Sequence, residues 1–218
     1  MKLKLVSVGI LAAALAPAVA AAGESSFSIY GGLQSLPHSN VSGTDQSNTD
    51  FAFTAGWEGK PFAMPPYWGV RYTHWADSGW GWSVDFAHSK AYADDATLAD
   101  SGFAVLEFTD GINVLTANVL RRFENDGRWT PYVGFGLGIA VPNVEITPPT
   151  AIETFEYQYA GLAAQAQIGV DYEINEKWSV FTEYKMNYVM VDVDLVGGGF
   201  LKTDLVVNAF NLGVSRSF

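Results

Sequence analysis

Several stretches of this chain alternate bulky apolar residues with small or polar ones at a strict period of two. From Trp80 the even positions are Trp80, Trp82, Val84 and Phe86, and the odd positions Gly81, Ser83, Asp85 and Ala87. The pattern returns as Val133, Phe135, Leu137, Ile139 and Val141 against Gly134, Gly136, Gly138 and Ala140. It returns again as Leu162, Ala164, Ala166, Ile168 and Val170 against Ala163, Gln165, Gln167, Gly169 and Asp171. Successive side chains of a strand point to opposite faces, so each stretch has one apolar and one small or polar face. A soluble barrel would turn the apolar sets inward, but they are too bulky for a narrow lumen, whereas Gly, Gln, Asp and Glu fit one. The polar face is therefore the expected interior and the apolar face the one turned to lipid.

The first residues say how such a chain reaches a membrane. Lys2 and Lys4 precede an apolar run from Leu5 to Leu15, followed by Pro17 and the small residues Ala18, Val19, Ala20, Ala21 and Ala22. This is the pattern of a secretory signal peptide, with cleavage after Ala20 or Ala22, leaving residues 23–218 as one outer-membrane domain. No later apolar run is long enough to cross a bilayer as a helix, so any crossing must be made by strands. Loss of Lys2 and Lys4 takes the formal charge from −11 to −13, which makes nucleic acid a poor partner. The absence of cysteine excludes disulfides and thiolate chemistry.

Counting back from Phe218, strands are expected near 203–218, 177–194, 157–172, 130–146, 109–123, 80–92, 66–76 and 24–35. The fold class is thus all-β, an eight-stranded antiparallel transmembrane β-barrel in the bacterial outer membrane. Turns at Asp77-Ser78-Gly79, Glu124–Gly127 and Glu173–Glu176 are short and polar, as on the periplasmic side, and the longer loops face outward. The longest, about Leu36 to Pro65, holds its own strand-like piece from Phe51 to Trp57. Terminal Phe218, on the lipid-facing set with Phe210, Leu212, Val214 and Arg216, resembles the C-terminal signature of bacterial outer-membrane barrels.

Parity sets Arg71 opposite Asp85 inside the lumen, where an unpaired charge is costly, so the two are expected to pair. Glu183 and Lys185, with Gln165, Gln167 and Asp171 on the adjacent strand, form a polar plug. Near the outer rim the topology places His38, Glu58, Lys60, His88, Lys90, Glu107, Asp110 and Glu145. Imidazole and carboxylate together can bind a divalent metal or work as acid and base. His74 falls on the lipid-facing set near the periplasmic edge. There is no GxGxxG in a βαβ context, no P-loop and no GxSxG, so nucleotide cofactors and a hydrolase elbow find no support.

Several longer strings are distinctive: Pro37-His38-Ser39, Gly56-Trp57-Glu58-Gly59-Lys60 continuing to Met64-Pro65-Pro66-Tyr67, Leu106-Glu107-Phe108-Thr109-Asp110-Gly111, Ala140–Glu145 and Trp178–Lys185. Together with Thr130–Gly134 and the end from Leu201, they resemble the outer-membrane lipid A oxidases of rhizobia-type bacteria over nearly the whole mature chain. The resemblance implies oxidation of the proximal glucosamine of lipid A to 2-aminogluconate, with dioxygen as oxidant and lipopolysaccharide of the outer leaflet as partner. A filled barrel cannot house a flavin, and the nicotinamide pool is cytoplasmic. A redox metal on the loops is one remedy for the slow reaction of O₂ with a closed-shell sugar. On that reading His38, His88 and Glu107 are candidate metal ligands, and Glu58 or Asp110 is the base that takes the sugar hydroxyl proton. Lys60 and Lys90 hold phosphate, and the protein acts as a monomer. Two readings compete: a non-catalytic barrel for envelope structure or adhesion, and another lipid A-modifying enzyme such as a deacylase or acyltransferase. A deacylase would need His88 and Ser89 to meet, and parity puts them on opposite faces.

Overall fold

A computed structural model of the chain describes residues 23–150 and 152–218; the expected signal segment, 1–22, lies outside them. In chain order the elements are β1 (Gly23–Ser35), β2 (Ser39–Thr44), β3 (Asp50–Ala55), β4 (Trp57–Glu58), β5 (Trp68–Ala76), β6 (Trp80–His88), β7 (Ala91–Ala93) and helix α1 (Asp95–Ser101). They continue with β8 (Val105–Phe108), β9 (Val114–Arg122), β10 (Trp129–Ala140), β11 (Asn143–Thr147), β12 (Thr154–Tyr157), β13 (Gly161–Asn175), β14 (Trp178–Asp194) and β15 (Phe200–Ser217). Eight of them, in the order β1-β5-β6-β9-β10-β13-β14-β15, pair antiparallel, and β15 closes back on β1. This is the expected eight-stranded barrel, and closure leaves the membrane wall without a free edge.

The faces fall as the alternation requires. Phe135, Leu137, Leu162, Ile168, Tyr184, Phe210 and Leu212 are exposed on the outside, whereas Gln165, Gln167, Glu183, Lys185, Asn187 and Asn211 are buried inside. Two glycines make room for the interior rings. A Cβ on Gly69 would come within 2.1 Å of Tyr30, and one on Gly213 within 2.3 Å of Phe181. Trp80, Trp129, Trp178 and Phe218 crowd the end of the barrel at which Gly23 and Phe218 lie, as an aromatic girdle does at a membrane interface.

The lumen has three layers. At the terminal end a polar cavity of about 540 Å³ is lined by Ser26, Ser28, Thr73, Arg122, Asp171 and Ser215, among others. The middle is ionic. Arg71 and Asp85 are register partners, as parity demands, and their Nε and Oδ2 atoms are 2.6 Å apart. Arg71 Nη2 also donates to Glu183 Oε1 at 2.6 Å, and Lys185 Nζ donates to Asp85 Oδ2 at 2.7 Å. Tyr30 donates to the remaining oxygen of Asp85 at 2.6 Å, and Tyr132 donates to Glu183 Oε2 at 2.7 Å. Glu183 and Lys185 thus join Arg71 rather than the glutamine layer, where Gln165 bonds Gln167 at 2.9 Å and accepts from Thr116 at 3.1 Å. Two cations and two anions balance, and with Asn211 of β15, whose Nδ2 donates to Glu183 Oε1 at 3.0 Å, six strands contribute to the cluster or its hydrogen bonds. At the far end the lumen becomes apolar, with Val189, Val191, Val193, Leu201, Leu205 and Val207 of β14 and β15 in one core.

That far end departs from the expected strand limits. The segments 109–123, 130–146 and 80–92 do not run on as single strands; they break at the rim and re-pair as a second sheet, in the order β12-β11-β8-β7-β4. The breaks have local causes. Gly111 and Asn113 take positive φ values of 100° and 40°, and Pro142 has no N–H to continue the ladder between β10 and β11. The strand-like piece at Phe51–Trp57 appears as β3 and β4. Its hairpin partner β2, which was not anticipated, joins β3 to the extended end of β15.

Candidate active site on the outer face of the loop-end sheet

The five-stranded sheet has two unlike faces. Trp57, Ala91, Ala93, Leu106, Phe108, Val144 and Ile146 are buried in the core shared with β14 and β15, which fixes the inward face. Alternation then sends the intervening residues outward, on the same side of the wall as the lipid-facing set. Register places them in one row: Glu58 beside Tyr92, Tyr92 beside Glu107, Glu107 beside Glu145, and Glu145 beside Phe155. Each step spans one inter-strand spacing, about 4.8 Å. Lys60 lies against the row, its Nζ 3.0 Å from Glu58 Oε2 and 4.5 Å from the centre of the Tyr92 ring. Thr109 donates to Glu145 Oε2 at 2.8 Å.

The charges in this row interact. Burial, then the neighbouring Glu145 carboxylate, push the Glu107 carboxyl above its usual range, with Lys60 opposing. The hydrogen bond to Glu58 holds Lys60 protonated, above the ordinary lysine value. Burial and Glu107 raise the Tyr92 phenol, so it stays a hydrogen-bond donor at neutral pH. A carboxylate of raised basicity beside a cation, a phenol and an exposed ring can accept protons from sugar hydroxyls, hold an anionic substituent and flank a sugar face.

Of the residues expected at the site, Glu58, Lys60 and Glu107 belong to this row. Asp110 is exposed beyond it, and its carbonyl accepts from the Tyr157 hydroxyl at 3.1 Å. Lys90 is fully buried and gives its ammonium to the Ala63 carbonyl at 2.5 Å, so it presents no cation to a phosphate outside. The trio His38, His88 and Glu107 is not assembled: among the described residues no three His, Asp or Glu side chains gather as metal ligands. His38 sits on the exposed loop between β1 and β2. His88 ends β6, where its ring stacks on Trp68 at 5.9 Å and its Nδ1 lies 2.9 Å from Asn113 Oδ1. The donor set does not fit a metal. His88 Nε2 and Ser89 Oγ are both buried without hydrogen-bond partners, so they are not paired as base and nucleophile. His74 accepts its interfacial place, its Nδ1 3.0 Å from Ser25 Oγ.

Sequence reasoning missed Tyr92 and Phe155 and set Glu145 aside. The short alternation Ala91-Tyr92-Ala93 was the available signal, since small residues on both sides of a tyrosine mark an inward face too tight for a ring.

The Glu107–Glu145 contact carries a pH dependence. Because folding raises the Glu107 pKa, its contribution is favourable below the unfolded value of ~4.3 and is lost as pH climbs through the higher folded value. Glu107→Gln is therefore expected to tighten the sheet at pH 7, by about 0.5 kcal/mol, and to have little effect near pH 4. Amide exchange on β8 and β11 at both pH values reads this; a larger gain at pH 4 contradicts it.

The family profile described as outer membrane protein beta-barrel domain matches residues 7–218. Among solved structures, Neisserial surface protein A is 12% identical with a TM-score of 0.50, covering 89% of this chain and 97% of its own. The outer membrane protein AlkL is 13% identical with a TM-score of 0.50, covering 90% of each chain. At such identities these two share the fold alone. No curated protein matches the chain in sequence.

Proposed function

The chain belongs to the outer membrane protein β-barrel family and resides in the bacterial outer membrane, and from that premise we propose that it is a lipid A oxidase. Its substrate is the proximal glucosamine of lipid A, freed of its 1-phosphate so that C1 carries a hydroxyl. The C1–H and O–H bonds lose two electrons and two protons to O₂, giving a lactone and hydrogen peroxide. Water then opens the lactone to 2-aminogluconate, a net gain of one oxygen.

The observation that carries this reading is the row Glu58-Tyr92-Glu107-Glu145 with Lys60, on the outward face just above the lipid-facing wall. Lipid A places its acyl chains beside a barrel and its sugars at that height. The strings that resemble the oxidases, Gly56–Lys60 and Leu106–Gly111, are the ones that supply Glu58, Lys60 and Glu107. The base role moves from Glu58, which is engaged with Lys60, to Glu107, whose raised pKa suits it to take the C1 hydroxyl proton. Lys60 faces an anionic substituent of the headgroup, and Tyr92 donates to a ring or hydroxyl oxygen.

A second, non-catalytic reading is favoured by Phe155, Tyr157 and Tyr159, which are exposed side by side at the edge of the sheet and suit adhesion. Mass spectrometry of lipid A from cells with and without the protein separates the two. A species heavier by one oxygen, present only with the protein, is expected; lipid A of unchanged mass overturns the oxidase.

A further inference from the structure

We propose that the segment from Lys60 to Tyr67 is a lipid-inserting arm, whose tip residues Phe62 and Met64 enter the acyl chains of the outer leaflet beside Trp68, with Lys90 as the internal strut that holds it. The inference rests on the membrane location of the barrel and not on the oxidase reading.

Phe62 and Met64 are 76% and 83% exposed, an unusual display for large apolar side chains on a segment that is otherwise well anchored. Its neck is closed by the Tyr67 N–H, which donates to the Pro61 carbonyl at 2.9 Å. Gln34 Nε2 donates to the Gly59 carbonyl at 2.5 Å, which ties the near side to the top of β1. From beneath, the Lys90 ammonium donates to the Ala63 carbonyl at 2.5 Å. That carbonyl is its one hydrogen-bond acceptor among the described residues. A fully buried lysine without a carboxylate partner is a costly element, and here its ammonium is held between the arm's Ala63 carbonyl and the Tyr92 ring, 5.6 Å away.

The height and direction of the arm follow from its neighbours. Trp68, next after Tyr67, is on the lipid-facing side and pairs with Gly31, and Leu33, two residues further up β1, is still exposed to lipid. The arm therefore leaves the wall at the upper edge of the apolar belt. Its other end, Lys60, lies over the outward-facing Tyr92 ring, which puts that end of the arm on the outside of the wall, while Gln34 and Tyr67 anchor its neck from the lumen side. An apolar tip continuous with the belt, with a cation above it, is how side chains are arranged across a membrane interface. That continuity commits the tip to lipid acyl chains.

The chain has no cysteine, so single variants can be labelled without a background. Phe62→Cys and Met64→Cys are each coupled to an environment-sensitive fluorophore in protein refolded into phospholipid vesicles that contain an acyl-chain spin-labelled lipid. Phe210→Cys serves as the lipid-facing reference and Ser47→Cys, at the β2–β3 turn, as the aqueous one. Labels at 62 and 64 are expected to be quenched several-fold more than at 47, close to the level at 210, and to resist aqueous iodide. Emission and iodide quenching like those at 47 overturn the arm, and shielding from both quenchers overturns the lipid occupant in favour of a protein contact. In a Lys90→Met background that still shows the heat-modifiable gel shift of a folded barrel, quenching at 62 is expected to fall at least two-fold. Unchanged quenching there overturns the strut.

Discussion

Arg71→Ala is expected to destabilise the barrel by about 3–5 kcal/mol, because it strands a buried charge. With Arg71 gone, Asp85 and Glu183 face one cation, Lys185, in a site where none of the three is exposed by more than 1%. Urea titration in lipid vesicles, followed by the gel mobility of the folded barrel, measures the loss. Oxidation of lipid A by whatever protein remains folded should be nearly unchanged, since the ionic layer lies below the row. Replacing all four charged side chains by apolar ones of similar volume is expected to come close to neutral, as removal of complete buried ion clusters often does. A double-mutant cycle of Arg71→Ala with Asp85→Asn should show strong coupling; additive losses would contradict the pairing.

The second large effect concerns activity. Glu107→Gln should lower the rate of lipid A oxidation by about 10²–10⁴-fold, the usual contribution of a positioned general base, while the barrel folds and inserts as before. Lys60→Met should raise KM more than it lowers kcat, since a cation held at a headgroup binds ground state and transition state alike. His38→Ala should retain activity, because His38 lies on a separate exposed loop. If Glu107→Gln oxidises lipid A at the parent rate, the row is not the reaction site.

The barrel wall was legible in the sequence because its physics is local: alternation over ten residues, short polar turns and a terminal aromatic decide strand number, face and register. Arg71 opposite Asp85 followed from parity together with the position of the turn about Ser78. Their further partners did not, because Glu183 reaches Arg71 across the lumen, from a strand that is not its neighbour. Above the rim the expected long strands do not continue, although alternation still sets the two faces of the short ones. Gly111, Asn113 and Pro142 break the neighbouring segments at the rim, while His88, singled out for its place near the rim, keeps its register opposite Trp68 and spends its ring on that stack. Glu58 and Glu107 stood out as candidates because charge at a rim is conspicuous, whereas Tyr92 did not, because a tyrosine in an aromatic-rich barrel is ordinary until its neighbours are known. Lys90 shows the converse: its charge implied an exposed role, and the fold buries it under a carbonyl.

The ionic layer also bears on how such a barrel can be assembled. Arg71 and Asp85 sit opposite each other on adjoining hairpin strands, and Glu183 and Lys185 sit two residues apart on β14. Each pair is therefore neutral by itself, and the contact that spans the 112-residue separation between Arg71 and Glu183 joins two neutral pairs. Pairing of β15 with β1 brings these two neutral pairs into one cross-linked lattice, so the closed barrel is locked from inside by charges that cancel pairwise.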